Sequence, residues 1–152
     1  MNKKIFLLLP CIAVLAASCN NASNIKQDAV LEVHDHKYSI QLADTPQKRA
    51  DGLSGVAKIS DGEGMLFLFS EPQHLQFWMK GMLFPLDIIW INGDKVVDIS
   101  DGLQPEPGKD DASLNVYSPI TDADKALEVN SGWALRHDVK IGDTITYTKL
   151  GQ

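Results

Sequence analysis

Apolar positions in this chain recur mostly every second residue, in short runs broken by turn residues, the pattern of half-buried strands. Val30–Val33 and Tyr38–Ala43 predict two strands joined as a hairpin through His34-Asp35-His36-Lys37. Thr45-Pro46 predicts a helix start, because Thr caps free N–H groups and Pro is pre-set for the first helical position. That helix is expected to reach about Leu53, with Gly52 and Gly55 ending it. A turn at Asp61-Gly62-Glu63-Gly64 then leads into three predicted strands, Met65–Phe69, Gln73–Lys80 and Leu86–Ile91. Asn92-Gly93-Asp94 is a hairpin turn into Val96–Ile99. Ser100–Asp124 is rich in Asp, Pro and Gly, with one short strand expected near Leu114–Tyr117. Ala126–Val129 predicts a strand, Trp133–Val139 a short helix and Thr144–Lys149 a closing strand. No βαβ alternation is visible. The expected fold is a small α+β domain, a mostly antiparallel, β-rich, barrel-like sheet with two short helices.

One apolar run breaks this pattern. Lys3 and Lys4 precede Ile5–Ala17, and Ala16-Ala17-Ser18 lead into Cys19. A positive start, a short apolar stretch and small residues at a cut site predict a secretory signal. The run is shorter than the ~20 apolar residues that span a bilayer, and Pro10 interrupts it. Cysteine directly after the small residues predicts a bacterial lipoprotein, cleaved after residue 18 and acylated on Cys19. The expected organisation is a signal peptide over 1–18, a lipid-bearing Cys19 with a tether over 19–28, and one globular domain over 29–152. Nine flexible residues from Asn20 reach about 15–18 Å, which keeps the domain close to the membrane. The absence of Asp after Cys19 favours the outer membrane. The predicted location is the periplasm-facing cell envelope.

Composition changes the picture in two ways. The chain has two cysteines, and Cys11 leaves with the signal while Cys19 carries lipid. The mature domain then has no disulfide, no thiolate nucleophile and no Cys-type zinc site. The chain carries 14 Lys+Arg against 20 Asp+Glu, and loss of Lys3 and Lys4 leaves 12 against 20, a formal net of −8. That argues against nucleic acid as a partner, since a polyanion needs a basic face.

Candidate chemistry concentrates between Gly64 and Asn92. Alternation through the strand to Lys80 puts Leu75, Phe77 and Met79 on one face and His74, Gln76, Trp78 and Lys80 on the other. The second face pairs a flat aromatic with polar and cationic groups, as binding surfaces do, though an ordinary half-exposed sheet face with a snorkelling lysine shares the pattern. Asp87, at the head of an apolar strand, needs a partner if it is buried; Lys80, Arg49 or the N–H groups of the Gly81–Phe84 turn can supply one.

These residues carry a resemblance. Thr45, Arg49 and Gly52-Leu53, Gly64-Met65-Leu66-Phe67 with Phe69, Phe77-Trp78-Met79-Lys80, Pro85-Leu86-Asp87-Ile88-Ile89, and Leu127-Glu128-Val129 followed by Gly132 resemble the bacterial and archaeal family catalogued as domain of unknown function 192. The resemblance runs from about Val30 to Tyr147. It implies a small β-rich fold, often exported or lipid-anchored, and no particular activity. Two departures stand out: Ser54 where the family often has Met, and Gly81-Met82 where it often has Asn-Thr.

The leading functional expectation is a non-catalytic binding module on the envelope, taking a small polar or anionic ligand or an envelope protein. Arg49, Trp78, Lys80, Asp87 and Glu128 are its candidate ligand-binding residues, with Ser100–Asp124 as a candidate lid. The alternative is an envelope hydrolase with Asp87 and Glu128 as acid and base, since two carboxylates about 5–10 Å apart can cleave glycosidic bonds. Gly52-Leu53-Ser54-Gly55-Val56 misses the G-x-S-x-G elbow at Val56. A third reading places Cu(I) on Met79 and Met82 with Met65 and His74, although both Met65 and Met79 fall on apolar faces, where gap-filling is their ordinary role. No cofactor or metal is expected.

Overall fold

The computed structural model of the protein describes residues 26–151. The predicted signal peptide, Cys19 and the tether up to residue 25 lie outside the described residues. The first hairpin joins β1 (Ala29–Val33) to β2 (His36–Ala43) through His34 and Asp35 alone, both at positive φ (49° and 63°). Two consecutive left-handed residues make the tight turn whose twist suits a hairpin. His36 and Lys37, expected in the turn, therefore belong to β2. Helix α1 (Pro46–Asp51) starts as its sequence dictates, with the Thr45 side chain accepting from the Lys48 N–H, and ends at Gly52.

After α1 come β3 (Glu63–Gln73), β4 (Phe77–Trp78), β5 (Leu86–Asn92) and β6 (Lys95–Leu103). A 3-10 turn over Asp111–Ser113, β7 (Val116–Tyr117), β8 (Ala123–Asn130), α2 (Trp133–Arg136) and β9 (Thr146–Lys149) complete the chain. Seven strands form one sheet in the order β6-β5-β8-β3-β2-β1-β9, and β4 pairs with β7 in a separate ribbon. Every pairing is antiparallel except β2 with β3. That parallel pair needs a crossover, and the segment carrying α1 provides it. The expectation of no βαβ unit is thus corrected: a six-residue helix is too short to register as an alternation in the sequence.

The sheet is not closed into a barrel, so that part of the expected fold is not what the strands make. A single stretch before β9 nonetheless reaches across to the β6 end. The Val96 N–H donates to the Asp143 carbonyl (3.0 Å), the Gly142 N–H to the Val96 carbonyl (2.8 Å) and the Ile145 N–H to the Asp94 carbonyl (2.9 Å).

Both faces of the central strands are buried, which explains their near-continuous apolar runs. On one face Leu66, Ile89, Leu127 and Val129 pack beneath Ile40 and Trp133. On the other, Phe67, Ile88, Trp90 and Ala126 pack beneath the irregular segments carrying Leu53 and Phe84. Full burial of each Leu, Ile, Val or Phe side chain among these contributes roughly 1.5–3 kcal/mol. Met65, Met79 and Met82 pack within this second core, the ordinary gap-filling role of methionine, whereas His74 is exposed. The second core is the one that carries the cavity described next.

Candidate functional site

Alternation sets out the first wall. Leu75 and Met79 are buried, Phe77 is half-buried, and His74, Gln76, Trp78 and Lys80 are exposed, as the period-two pattern requires. Trp78 keeps 47% of its surface in solvent. The Lys80 ammonium lies 5.3 Å from the centre of the Trp78 ring and 2.5 Å from an Asp111 carboxylate oxygen. The ribbon fixes this wall: Phe77 lies opposite Tyr117 and Trp78 opposite Val116. Behind it, Phe77 meets Phe67 and Trp90 edge-on, with ring centres 4.9 and 5.2 Å apart. Ser100–Asp124 thus braces β4 along its edge, through β7 and Asp111. None of its residues lines the cavity, so it is not the expected lid.

Helix α1 supplies the second wall. Arg49 points toward β3, where its Nη1 donates to the Leu68 carbonyl (3.0 Å) and its guanidinium carbon stands 5.0 Å from the Phe69 ring centre. Among the described residues no carboxylate pairs with it. The loop after α1 closes the gap: the Gly55 N–H donates to the Gly81 carbonyl (2.9 Å). A Cβ at Gly81, which sits at φ +67°, would overlap the Ser54 Oγ. The two departures from the family pattern, Ser54 and Gly81, thus lie against one another at the edge of the site.

Between these walls is a cavity of about 230 Å³, smaller than the ~300–1,000 Å³ of sites for drug-sized ligands. Its lining includes Arg49, Trp78 and Lys80, the aromatic rings of Phe67 and Phe69, and Glu128. Glu128 comes from β8, opposite Met65 of β3 and Ile88 of β5. It is only 5% exposed, and its Oε2 is sealed from solvent with no hydrogen-bond partner among the described residues. Burial pushes its carboxyl up to about 8, so at neutral pH it is a carboxylic acid with an O–H to donate. An unpaired buried polar group costs about 1–3 kcal/mol. Strands β3 and β8 approach closely here, since a Cβ at Gly64 would lie 2.7 Å from the Glu128 carbonyl oxygen.

Asp87 tells a different story. It is fully buried, and its Oδ1 accepts from the N–H groups of Gly102 (2.9 Å) and Gly132 (3.0 Å), its Oδ2 from that of Ala134 (3.2 Å). Two of these donors are free N–H groups at the start of α2, which a helix cannot satisfy internally. Its partners are therefore not Lys80, Arg49 or the Gly81–Phe84 turn, and it does not line the cavity. Asp87 faces Val129 in register while Glu128 faces Ile88. Neighbouring residues of a strand point to opposite faces, so the two carboxyls lie on opposite sides of the sheet. They cannot flank one glycosidic bond as acid and base.

Four of the five sequence candidates, Arg49, Trp78, Lys80 and Glu128, thus line one cavity, and Asp87 stands apart from it. Phe67, Phe69 and Ser54 were missed as lining residues. The alternation of Met65, Phe67 and Phe69 marks a shared face, and that signal gives no hint that its far end opens onto a cavity. The His34, His36 pair stays on the surface, and the His34 Nε2 lies 3.1 Å from an Asp143 carboxylate oxygen.

No curated protein matches the chain. Two solved structures are similar across most of it. One is a proposed transcription regulator from Sinorhizobium meliloti, 25% identical, with a TM-score of 0.69 over 80% of this chain and 92% of that one. The other is a protein of unknown function from Novosphingobium aromaticivorans, 29% identical, with a TM-score of 0.68 over 78% and 83%. The sequence pattern of one family matches residues 29–147, and the chain belongs to that family, domain of unknown function 192, described as Uncharacterized ACR.

Proposed function

We propose that this protein is a lipid-anchored component of the bacterial cell envelope whose domain is a non-catalytic binding module, holding a small polar ligand in the cavity between α1, β3 and β4. One observation carries the reading: at the inside of the cavity the buried Glu128 carboxyl has an Oε2 without a partner among the described residues, and the lining Arg49 guanidinium has no carboxylate among them. Polar groups left unpaired in a native interior mark places where something else completes them. Binding is favoured over hydrolysis because, among the described residues, the only other buried carboxylate, Asp87, faces the other side of the sheet and is held by three backbone donors. The anchor rests on the Ala16-Ala17-Ser18-Cys19 pattern behind Lys3 and Lys4. The name of the Sinorhizobium protein as a proposed regulator of transcription finds little support in a chain with a formal net charge of −6.

Two experiments test this. Trp78 borders the cavity, so titration of small acids, amines and sugars should change tryptophan fluorescence, and Trp78→Ala should abolish the change. A panel that leaves the fluorescence unmoved would remove the binding module. Labelling of cells with a fatty-acid analogue should tag the wild type and not Cys19→Ser; equal labelling, or none, would remove the anchor.

A further inference from the structure

We propose that the cavity takes a small planar monoanion of one ring, with its anionic group at Arg49 and Lys80 and an oxygen acceptor turned inward to Glu128. A hydroxy- or oxo-substituted aromatic monocarboxylate is the class that fits. The inference rests on the binding-module reading and names its ligand.

Charge sets the outer end. Two cations line the cavity, Arg49 and Lys80, and Lys80 already has Asp111 beside it. Arg49 spends one N–H on the Leu68 carbonyl and has no carboxylate among the described residues, so its planar fork is open to a carboxylate. Besides Glu128, Asp51 is the one carboxyl residue of the lining, and it accepts from Gln47 (2.8 Å). A cationic ligand would meet like charge at the rim; a dianion would overmatch the single open cation.

Shape and polarity set the middle. Met65 lies opposite Glu128, and Leu68, which holds Arg49, is three residues farther along β3. At ~3.3 Å per residue the backbone positions that hold the two polar ends lie about 10 Å apart. One six-membered ring with a polar group at each end spans that gap, consistent with a cavity of about 230 Å³. The space between is bounded by Phe67, Phe69, Phe77, Leu53 and Met82. A sugar acid would bring several hydroxyls against these apolar walls without partners, whereas an aromatic ring would find edges and faces to pack on.

Glu128 sets the inner end. It is only 5% exposed, its Oε2 has no partner among the described residues, and burial, which holds the carboxyl protonated up to about pH 8, leaves it one O–H to donate. A phenol or carbonyl oxygen satisfies it, and an alkyl tail does not.

Isothermal titration of the full-length protein at pH 7 with 4-hydroxybenzoate, 4-hydroxybenzylamine and glucuronate tests this. The first is expected to bind at least tenfold more tightly than the other two. Arg49→Gln should weaken it tenfold or more, and Glu128→Leu likewise, while Glu128→Gln, whose amide still donates, should stay within threefold. Circular dichroism of each variant establishes that a loss is not unfolding. Equal or stronger binding of the amine or the sugar acid would overturn the assignment and leave the binding module standing. Wild-type affinity in Glu128→Leu would overturn the inner contact. Silence of all three probes would overturn the assignment, and the binding module itself falls only if the wider fluorescence panel is silent too.

Discussion

Asp87 and Glu128 sit one register step apart on adjacent strands, both buried, and the sheet treats them in opposite ways. Asp87 is met by three backbone N–H groups from β6 and the start of α2. Glu128 is met by none among the described residues, and it opens onto a cavity. The first carboxylate holds three pieces of the fold together. The second is a cost the fold carries without visible return, and that asymmetry separates structure from binding here better than burial does.

The sharpest way to break the comparison is to remove Asp87. Asp87→Ala strands three donors, that of Ala134 buried and those of Gly102 and Gly132 only partly so; at about 1–3 kcal/mol for a buried unpaired donor and less for the others, a loss of about 2–3 kcal/mol is expected in chemical denaturation. Asp87→Asn keeps one acceptor and should lose less. A loss below about 1 kcal/mol for Asp87→Ala would mean that the three bonds do not hold α2 in place.

Glu128 should respond with the opposite sign. Its carboxyl has an ordinary value of 4.5 and is pushed up to about 8 by burial. Below pH 4.5 it is protonated in both folded and unfolded chains and contributes no pH dependence. Between about 4.5 and 8 the unfolded chain releases the proton that the folded chain retains, so stability falls as pH rises; above about 8 the fall is complete. The full drop is on the order of a few kcal/mol. Glu128→Gln should therefore match the wild type near pH 4.5 and exceed it by a few kcal/mol at pH 9. The difference between the two denaturation curves isolates this group from other titrations. A flat difference would mean that Glu128 is ionised or hydrated in the folded protein.

How far the sequence could have anticipated this contrast depends on the residue. Period-two alternation placed Trp78 and Lys80 outward and Met79 inward correctly, because that information is local. Thr45-Pro46 marked α1 for the same reason. The partners of Asp87 lie 15 and 45 residues away or more in sequence, and only the pairing of β5 with β6 and β8 brings them together. Likewise, the opposite orientation of Asp87 and Glu128 follows from a one-residue difference in register, which no local pattern contains. The parallel β2–β3 pair was hidden for a related reason, since its crossover is mostly irregular.

A smaller effect is expected at Gly64. An added Cβ would meet the Glu128 carbonyl oxygen at 2.7 Å and Val129 Cγ1 at 3.0 Å, so Gly64→Ala must spread β3 from β8. Overpacking of this kind costs about 1–3 kcal/mol. Because β8 also positions Glu128, the same variant should weaken ligand binding, whereas Asp87→Asn, acting on the other face, should leave binding nearly unchanged in the folded fraction. Equal effects of the two on binding would mean that the faces are mechanically coupled through β8.

The smallest expected change is at the Lys80–Asp111 pair, and it separates a structural brace from a binding group. Both side chains are about half exposed, 49% and 58%, so water competes for each and salt screens their attraction. A double-mutant cycle between Lys80→Met and Asp111→Ala should give a coupling below about 1 kcal/mol in stability. The β4–β7 ribbon has backbone pairing and the Phe67–Phe77–Trp90 contacts to hold it, and so does not need the ion pair. Lys80→Met, with a stem of similar length over Trp78, should therefore leave folding almost untouched while lowering affinity for an anionic ligand. A coupling well above 1 kcal/mol would instead make the pair part of the scaffold, as Asp87 is, and would leave Arg49 as the cation that distinguishes the binding side of this sheet.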